Sequence, residues 1–259
     1  MDWAERIFVR NARLYELVLE GMWESGEEDA VALSSYLAES GLERCKVLDV
    51  PCGIGRVGIP LARLGFAVTG LDISPHLLEV ARAKAARFGV AGRATFVKCD
   101  MHELDSRLDP ASFDAAICVF TSIGYGSEED DLVFLRAVRK VVRKGGLFLL
   151  SGLRNRDYIA RNPSQNVYEE SKRLLVLDTY RFDPARSTEE GSWRFYLKRG
   201  DALRFAGEFP TRIRIYSPKE LASLLSSTRW KVLETLETFT SRRHSNPRSP
   251  VYAVAARAT

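Results

Sequence analysis

The segment VLDVPCGIGRVGIP, Val47 to Pro60, carries Gly53, Gly55 and Gly58 in a G-x-G-x-x-G pattern, with Asp49 before them and Asp72 after them. Glycine lets a backbone turn sharply and approach a ligand closely. An acid on the following strand places two acceptor oxygens where the paired hydroxyls of a ribose would lie. These residue types describe a loop for an adenosine-bearing ligand without saying which one. Asp49 narrows the choice. In the pyrophosphate-binding form of such a loop, the strand runs straight into the first glycine and a helix N-terminus meets the phosphates. Here Asp49, Pro51 and Cys52 intervene, and a carboxylate aimed into the loop repels a pyrophosphate and attracts a ligand bearing a cationic amine.

Such a loop needs a sheet edge to present it, and the flanking sequence supplies one. Lys46 to Val50 is a short apolar run that suits a buried strand, and a helix is expected from Gly55 to Leu64, locally bent where the Pro60 ring meets the Arg56 carbonyl. Phe66 to Leu71 reads as the next strand, with Ser74-Pro75 as N-cap and first residue of a helix to Phe88. Ala94 to Lys98, Phe113 to Phe120 and Leu147 to Ser151 read as further strands, with a helix from Glu128 to Arg143. Regular alternation of this kind implies a parallel sheet covered on both faces, a doubly wound α/β fold. The first forty residues carry helical signals, including an amphipathic stretch from Glu28 to Glu39.

The alternation breaks after Gly152. A polar stretch from Arg154 to Gln165 precedes runs at Lys172 to Phe182, Trp193 to Arg199, Ala202 to Ala206 and Thr211 to Tyr216, separated by turn signals at Asp183-Pro184, Gly191, Gly200-Asp201 and Pro210. This is the signature of an antiparallel meander. The capping box Ser217-Pro218-Lys219-Glu220 then opens a helix to Ser227. Trp230 to Leu236 and Val251 to Ala256 close the sheet at seven strands, so residues 153–216 are expected as an insertion within one domain spanning 1–259.

Composition limits the alternatives. The 38 basic and 34 acidic residues are interspersed, giving a net charge of +4, which describes a mixed solvated surface and disfavours nucleic acid without excluding it. Cys45, Cys52, Cys99 and Cys118 form no C-x-x-C pair and read as reduced thiols, neither a disulfide framework nor a metal site. No apolar run approaches membrane-spanning length, and the N-terminus has acids and no cleavage signal, so a cytoplasmic protein is expected, as monomer or homodimer and without a membrane partner.

With these elements in place, LDVPCGIGR resembles motif I of the class I S-adenosylmethionine-dependent methyltransferases, Pro51 standing where that family usually has its first glycine. LDIS at Leu71 to Ser74, CDM at Cys99 to Met101, FDAAICVFTSIGY at Phe113 to Tyr125 and RKGGLFLLS resemble the family's later motifs, in order and at the expected spacing. The resemblance implies a Rossmann-like sheet, S-adenosylmethionine as cofactor, S-adenosylhomocysteine as product, and no metal. It implies that Asp49, Pro51, Gly53 and Gly55 shape the loop around the methionine amine. Asp72 takes the ribose hydroxyls, Ile73 and Met101 flank the adenine, and Asp100 accepts its amino hydrogens. Arg56 and Tyr15 hold the methionine carboxylate, and Phe120 belongs to the loop facing the transferred methyl.

The acceptor is less legible. No N-P-P-Y follows the fourth strand, which argues against exocyclic amines of bases or glutamine as acceptors, and the expectation is a small molecule methylated at nitrogen or oxygen. An RNA or protein acceptor is the alternative, motivated by the tail TSRRHSNPRSP, and a non-catalytic adenosine-binding module is a more distant one. Tyr125 is the best-placed polar aromatic for positioning the acceptor. In the insertion, alternation separates an apolar set, Trp193, Phe195, Leu197, Leu203, Phe205, Ile213 and Ile215, from a basic set that includes Arg194, Arg204, Arg212, Arg214 and Tyr216. The basic face is either solvated exterior or a cover in which Arg212, Arg214 and Tyr216 bind an anionic acceptor.

Overall fold

The computed structural model describes residues 3–120 and 122–259, and of 164–170 the backbone alone. Met1, Asp2 and Thr121, which the expected domain and the fourth-strand motif include, lie outside the described residues. A π-helical turn, Glu5–Arg10, leads into helices α1 (Ala12–Gly21) and α2 (Trp23–Glu39). Strands β1 (Lys46–Asp49), β2 (Ala67–Asp72), β3 (Ala94–Lys98), β4 (Phe113–Val119) and β5 (Val142–Arg154) then alternate with α3 (Gly58–Arg63), α4 (Pro75–Arg87) and α5 (Glu128–Val141). A short helix α6 (Arg156–Ile159) precedes β6 (Ser164–Glu170), β7 (Leu174–Asp183), β8 (Thr188–Arg199) and β9 (Ala202–Arg214). Helix α7 (Pro218–Ser227), β10 (Trp230–Leu236) and β11 (Val251–Ala258) complete the chain.

The main sheet has seven strands in the order β10-β11-β5-β4-β1-β2-β3, parallel from β5 to β3, with β11 antiparallel to both its neighbours. One face packs a core that includes Leu33, Leu37, Leu61 and Leu78 from the helices, and the other packs Phe134, Val138, Leu221 and Trp230. The expected doubly wound α/β fold with seven strands is the observed one. Chain order reverses where β1 lies beside β4, and in open α/β sheets a ligand crevice opens at that switch point, outside the carboxyl ends of the strands.

Local departures from the sequence reading have local causes. The helix expected from Gly55 begins only at Gly58, because Gly53 and Gly55 adopt φ values of 54° and 75°, which no right-handed helix accommodates. Pro60 therefore falls in the first turn, where its missing N–H is unneeded, and Arg56 precedes the helix, so the expected bend has no cause.

The second sheet is antiparallel, in the order β6-β7-β8-β9. Strand β6 forms where a polar stretch was expected to end. Gly191 and Pro210 lie inside strands instead of marking turns. Pro210 is tolerated because β9 is an edge strand, where an absent N–H removes no ladder bond. A bulge lies between β8 and β9, where Phe195 pairs with Gly207 but Tyr196 with Phe205. One extra residue moves everything beyond it to the opposite face. Leu203 and Phe205 are consequently 52% and 55% exposed, with Phe205 against Tyr196 on the outer side, while Phe195, Phe209 and Ile213 stay buried.

Trp230 anchors the far edge of the main sheet, 1% exposed, packed on Phe148 and donating its indole N–H to the Leu135 carbonyl. Truncating a buried tryptophan costs about 3–5 kcal/mol. Trp230→Ala is expected to lower unfolding stability by that amount in urea titrations.

Candidate functional site

A pocket opens at the switch point. It is lined by Val50 to Gly53 after β1, Leu71 to Ile73 at the end of β2, Cys99 to His102 after β3, and Val119 and Phe120 at the end of β4. Ala4, Glu5, Phe8, Tyr15 and Leu19 of the N-terminal segment close its other side.

Asp72 is the best-held residue in it. Its Oδ2 accepts the Gly53 N–H at 2.8 Å and its Oδ1 accepts the Ser74 N–H at 2.8 Å, while Ser74 caps α4. One carboxylate thus ties the glycine loop to the start of the next helix and keeps lone pairs for a ligand. Burial raises its carboxyl to about 6, opposed by the backbone N–H groups of Ser74, Gly53 and Ile73. At Gly53 a Cβ would come 2.8 Å from Leu19 Cδ1, whose side chain would have to turn aside, and the φ of 54° would strain any larger residue.

Asp49 lies beneath the loop and does not line the pocket. A Cβ on Gly58 would come 2.8 Å from Asp49 Oδ2, a buried oxygen with no hydrogen-bond partner among the described residues. Burial raises the Asp49 carboxyl to about 7, against the attraction of Arg56 and a backbone N–H from Gly58. Gly55 packs on Ile59 and Phe96 and does not line the pocket either. Its contribution is to loop shape. Arg56 is buried at the pocket wall, with Nη1 3.4 Å from Asp29 Oδ2 and its guanidinium over the Phe120 ring at 5.4 Å. Phe120 has φ +73°, an uncommon value for a bulky residue, at the point where β4 meets the pocket.

Pro51, Ile73, Asp100, Met101, Tyr15 and Tyr125 also line the cavity. Asp100 Oδ1 takes the His102 backbone N–H at 2.9 Å and lies 2.7 Å from its Nδ1. Tyr125 stacks on Phe8 at 5.6 Å and meets Trp3 edge-on at 4.8 Å, and burial pushes its phenol well above the usual range. It stays neutral at physiological pH, which suits positioning and excludes service as an ionised base. Trp3 and Phe8 escaped the sequence reading, which placed Trp193 only on the apolar face of the insertion, because their contacts join the N-terminus to residues far along the chain. The clustering of three aromatics in Trp3 to Tyr15 was the one available signal.

Arg212, Arg214 and Tyr216 do not line the pocket. Arg212 pairs with Glu190 at the surface at 3.5 Å. Arg214 pairs with Glu128 and covers the Tyr216 ring, and the Tyr216 hydroxyl donates to Asp131 Oδ2 at 2.7 Å. Asp131 Oδ1 in turn accepts the Gly124 N–H at 2.9 Å, and the Gly124 carbonyl accepts the Arg214 N–H at 2.7 Å. Arg214 and Tyr216 therefore hold the loop that carries Tyr125. Among the described residues no group of His, Cys, Asp and Glu is arranged to hold a metal, and no helix is long and apolar enough to cross a membrane.

Residues 47–146, from β1 to the start of β5, match the sequence family described as a methyltransferase domain. Over those residues the chain is similar to that methyltransferase-domain family. It is 31% identical over 164 residues to a ubiquinone biosynthesis O-methyltransferase of Xanthomonas campestris, covering 63% of this chain and 66% of that one. It is 29% identical over 135 residues to a sterol 4-C-methyltransferase of Caenorhabditis elegans, covering 51% of this chain and 39% of that one. The chain thus spans less than two thirds of the length of either relative. A solved, S-adenosylmethionine-bound amino pentose methyltransferase from Micromonospora echinaspora shares the fold at a TM-score of 0.71 and 17% identity, over 94% of this chain and 96% of that one.

Two measurements test the loop. If Asp72 holds the two ribose hydroxyls, Asp72→Ala removes two charge-assisted contacts worth about 1.5–3 kcal/mol each. At tenfold per 1.4 kcal/mol, S-adenosylhomocysteine affinity by calorimetry is expected to fall by roughly two to four decades. For Asp49, the folded carboxyl titrates near 7 instead of 3.8, so the folded chain holds a proton that the unfolded chain has released. The stability from that proton is complete below about pH 4 and is lost as pH rises through 7. At about 1.4 kcal/mol per pH unit, Asp49→Asn is expected to match the parent near pH 4 and to exceed it by about 4 kcal/mol at pH 8 in urea unfolding of the ligand-free protein.

Proposed function

We propose that this chain transfers a methyl group from S-adenosylmethionine to a small-molecule acceptor, at nitrogen or oxygen. The observation that carries the reading is Asp72, a buried acid clamped by the glycine loop and the α4 cap at the switch point, with Ile73 and Met101 as apolar neighbours. These residues fit an adenosine. Asp72 would accept the ribose hydroxyls and Asp100 the adenine amino hydrogens, with Ile73 and Met101 against the ring faces. The orphaned Asp49 oxygen beneath the loop fits a cationic ligand and opposes a pyrophosphate. Arg56 and Tyr15 would meet the carboxylate end, Arg56 sharing its charge with Asp29.

The bound cofactor supplies an electrophilic methyl on a sulfonium, which an acceptor lone pair attacks in line. The chain's contribution is placement and exclusion of water. Trp3, Phe8, Tyr15 and Tyr125 would form the dry wall on the acceptor side, and the Gly124 and Tyr216 contacts keep Tyr125 in register. We read residues 153–216 as a lid within a single domain, because its inner face packs Leu174, Val176 and Phe195 against Tyr15 and Leu19 of α1. The four unpaired cysteines, three of them buried, favour a cytoplasmic setting.

Calorimetry is expected to detect S-adenosylmethionine binding and none of NAD, and the reverse would overturn the reading. When the enzyme is incubated with cell extract and mass-labelled S-adenosylmethionine, label is expected in the small-molecule fraction. Label confined to protein or RNA would reject a small-molecule acceptor. Arg212→Gln is expected to leave that transfer rate within about twofold, since an exposed pair is worth about 0–1 kcal/mol.

A further inference from the structure

The turn after β3 is held by its own backbone. The Cys99 N–H bonds to the Asp72 carbonyl at 3.0 Å, and the Asp100 carbonyl accepts the Glu103 N–H at 3.0 Å and the Cys99 thiol at 3.1 Å. Asp100 Oδ1 accepts the His102 backbone N–H at 2.9 Å and closes the turn from the side-chain end. None of these contacts uses the His102 imidazole.

The imidazole nevertheless reaches back to the same oxygen, with Nδ1 2.7 Å from Asp100 Oδ1. A carboxylate only accepts, so a contact this short requires the ring proton to sit on Nδ1. The two side chains are 35% and 41% exposed, and a pair so open to water adds little to stability. Its consequence is geometric. Both donors converge on Oδ1, so the carboxylate plane is held while Oδ2 keeps its acceptor capacity. Asp72 is built differently, with one backbone amide on each oxygen.

The held acid faces the cavity. Asp100, Met101 and His102 all line it, together with Ile73 from the end of β2. Asp130, which lines the cavity at the start of α5, and Asp131 lie within electrostatic reach of the His102 ring. The ring therefore stands between the turn after β3 and the next wall of the pocket.

We propose that His102 is a positioning residue for recognition of the cofactor's base: its Nδ1–H fixes Asp100 so that Oδ2 meets the exocyclic amine of the purine, and the pocket thereby selects a purine that carries the amine. This rests on the methyl-transfer reading, in which Asp100 accepts the adenine amino hydrogens. A freely turning carboxylate must be ordered when the ligand arrives, whereas one held at Oδ1 meets the amine already aligned. A purine without the amine leaves Oδ2 shielded from water and unpaired. His102 acts through the acid.

The test compares two ligands that differ only at the amine. Calorimetry with S-adenosylhomocysteine, and with its purine analogue bearing hydrogen in place of the amine, is run on the full-length chain, His102→Ala and His102→Asn, each checked for cooperative melting. The parent is expected to prefer the amine-bearing compound by about tenfold, the worth of one charge-assisted hydrogen bond. In His102→Ala that preference is expected to fall by about threefold or more, through weaker S-adenosylhomocysteine binding, with the analogue within about twofold of its parent affinity. Asparagine carries an N–H close to the place of Nδ1, so His102→Asn is expected to keep the parent's preference within about twofold. A residue that only shaped the turn would weaken both ligands alike. That result, an unchanged preference in His102→Ala, or an equal loss in His102→Asn overturns the assignment. If the parent binds both ligands alike, the assignment fails while the methyl-transfer reading stands. If it binds neither, both fail.

Discussion

Asp72 accepts one backbone N–H from the glycine loop and one from Ser74, the N-cap of α4, and this double contact ties together two walls of the switch-point pocket. A carboxylate is the smallest group that can satisfy two backbone donors and still offer acceptor capacity to a ligand. The acid therefore both builds the pocket and faces it. Burial works against its ionisation, and the loop amides work in favour. Asp49 sits one layer below, with an oxygen that has no hydrogen-bond partner among the described residues and a carboxyl that burial raises to about 7.

The contacts between the second sheet and the rest of the chain join segments with no sequence proximity. Trp3 comes from the N-terminus, Tyr125 from the loop after β4, Arg154 from the end of β5, and Trp193 and Glu189 from β8. The loop bearing Tyr125 is fixed by contacts through Asp131 to Tyr216, and by the Trp3 indole N–H donating to the Tyr125 carbonyl at 3.3 Å. Residues that are basic or phenolic by type, Arg214 and Tyr216, thus serve as struts. On the outer face Arg194 and Arg212 pair with Glu208 and Glu190, and the bulge at Ala206 keeps Leu203 and Phe205 out of the core.

The sequence by itself determined the sheet and which loop residues gather at its switch point. Near-continuous apolar runs alternating with capped helices admit one economical architecture, and Asp49, Gly53, Arg56 and Asp72 are close enough in the chain for local spacing to place them. It also determined that an antiparallel insertion exists, since the 2-residue period is local. Only the tertiary structure decided which way that insertion faces and what it presents. Alternation assigns side chains to two faces without saying which is buried, and the single extra residue at Ala206 reverses the assignment for Leu203 and Phe205. The meeting of Trp3 with Tyr125, and of Arg154 with Asp178 and Glu189, depends on how the second sheet docks on the first. That docking is set by packing between distant segments, which no local pattern encodes.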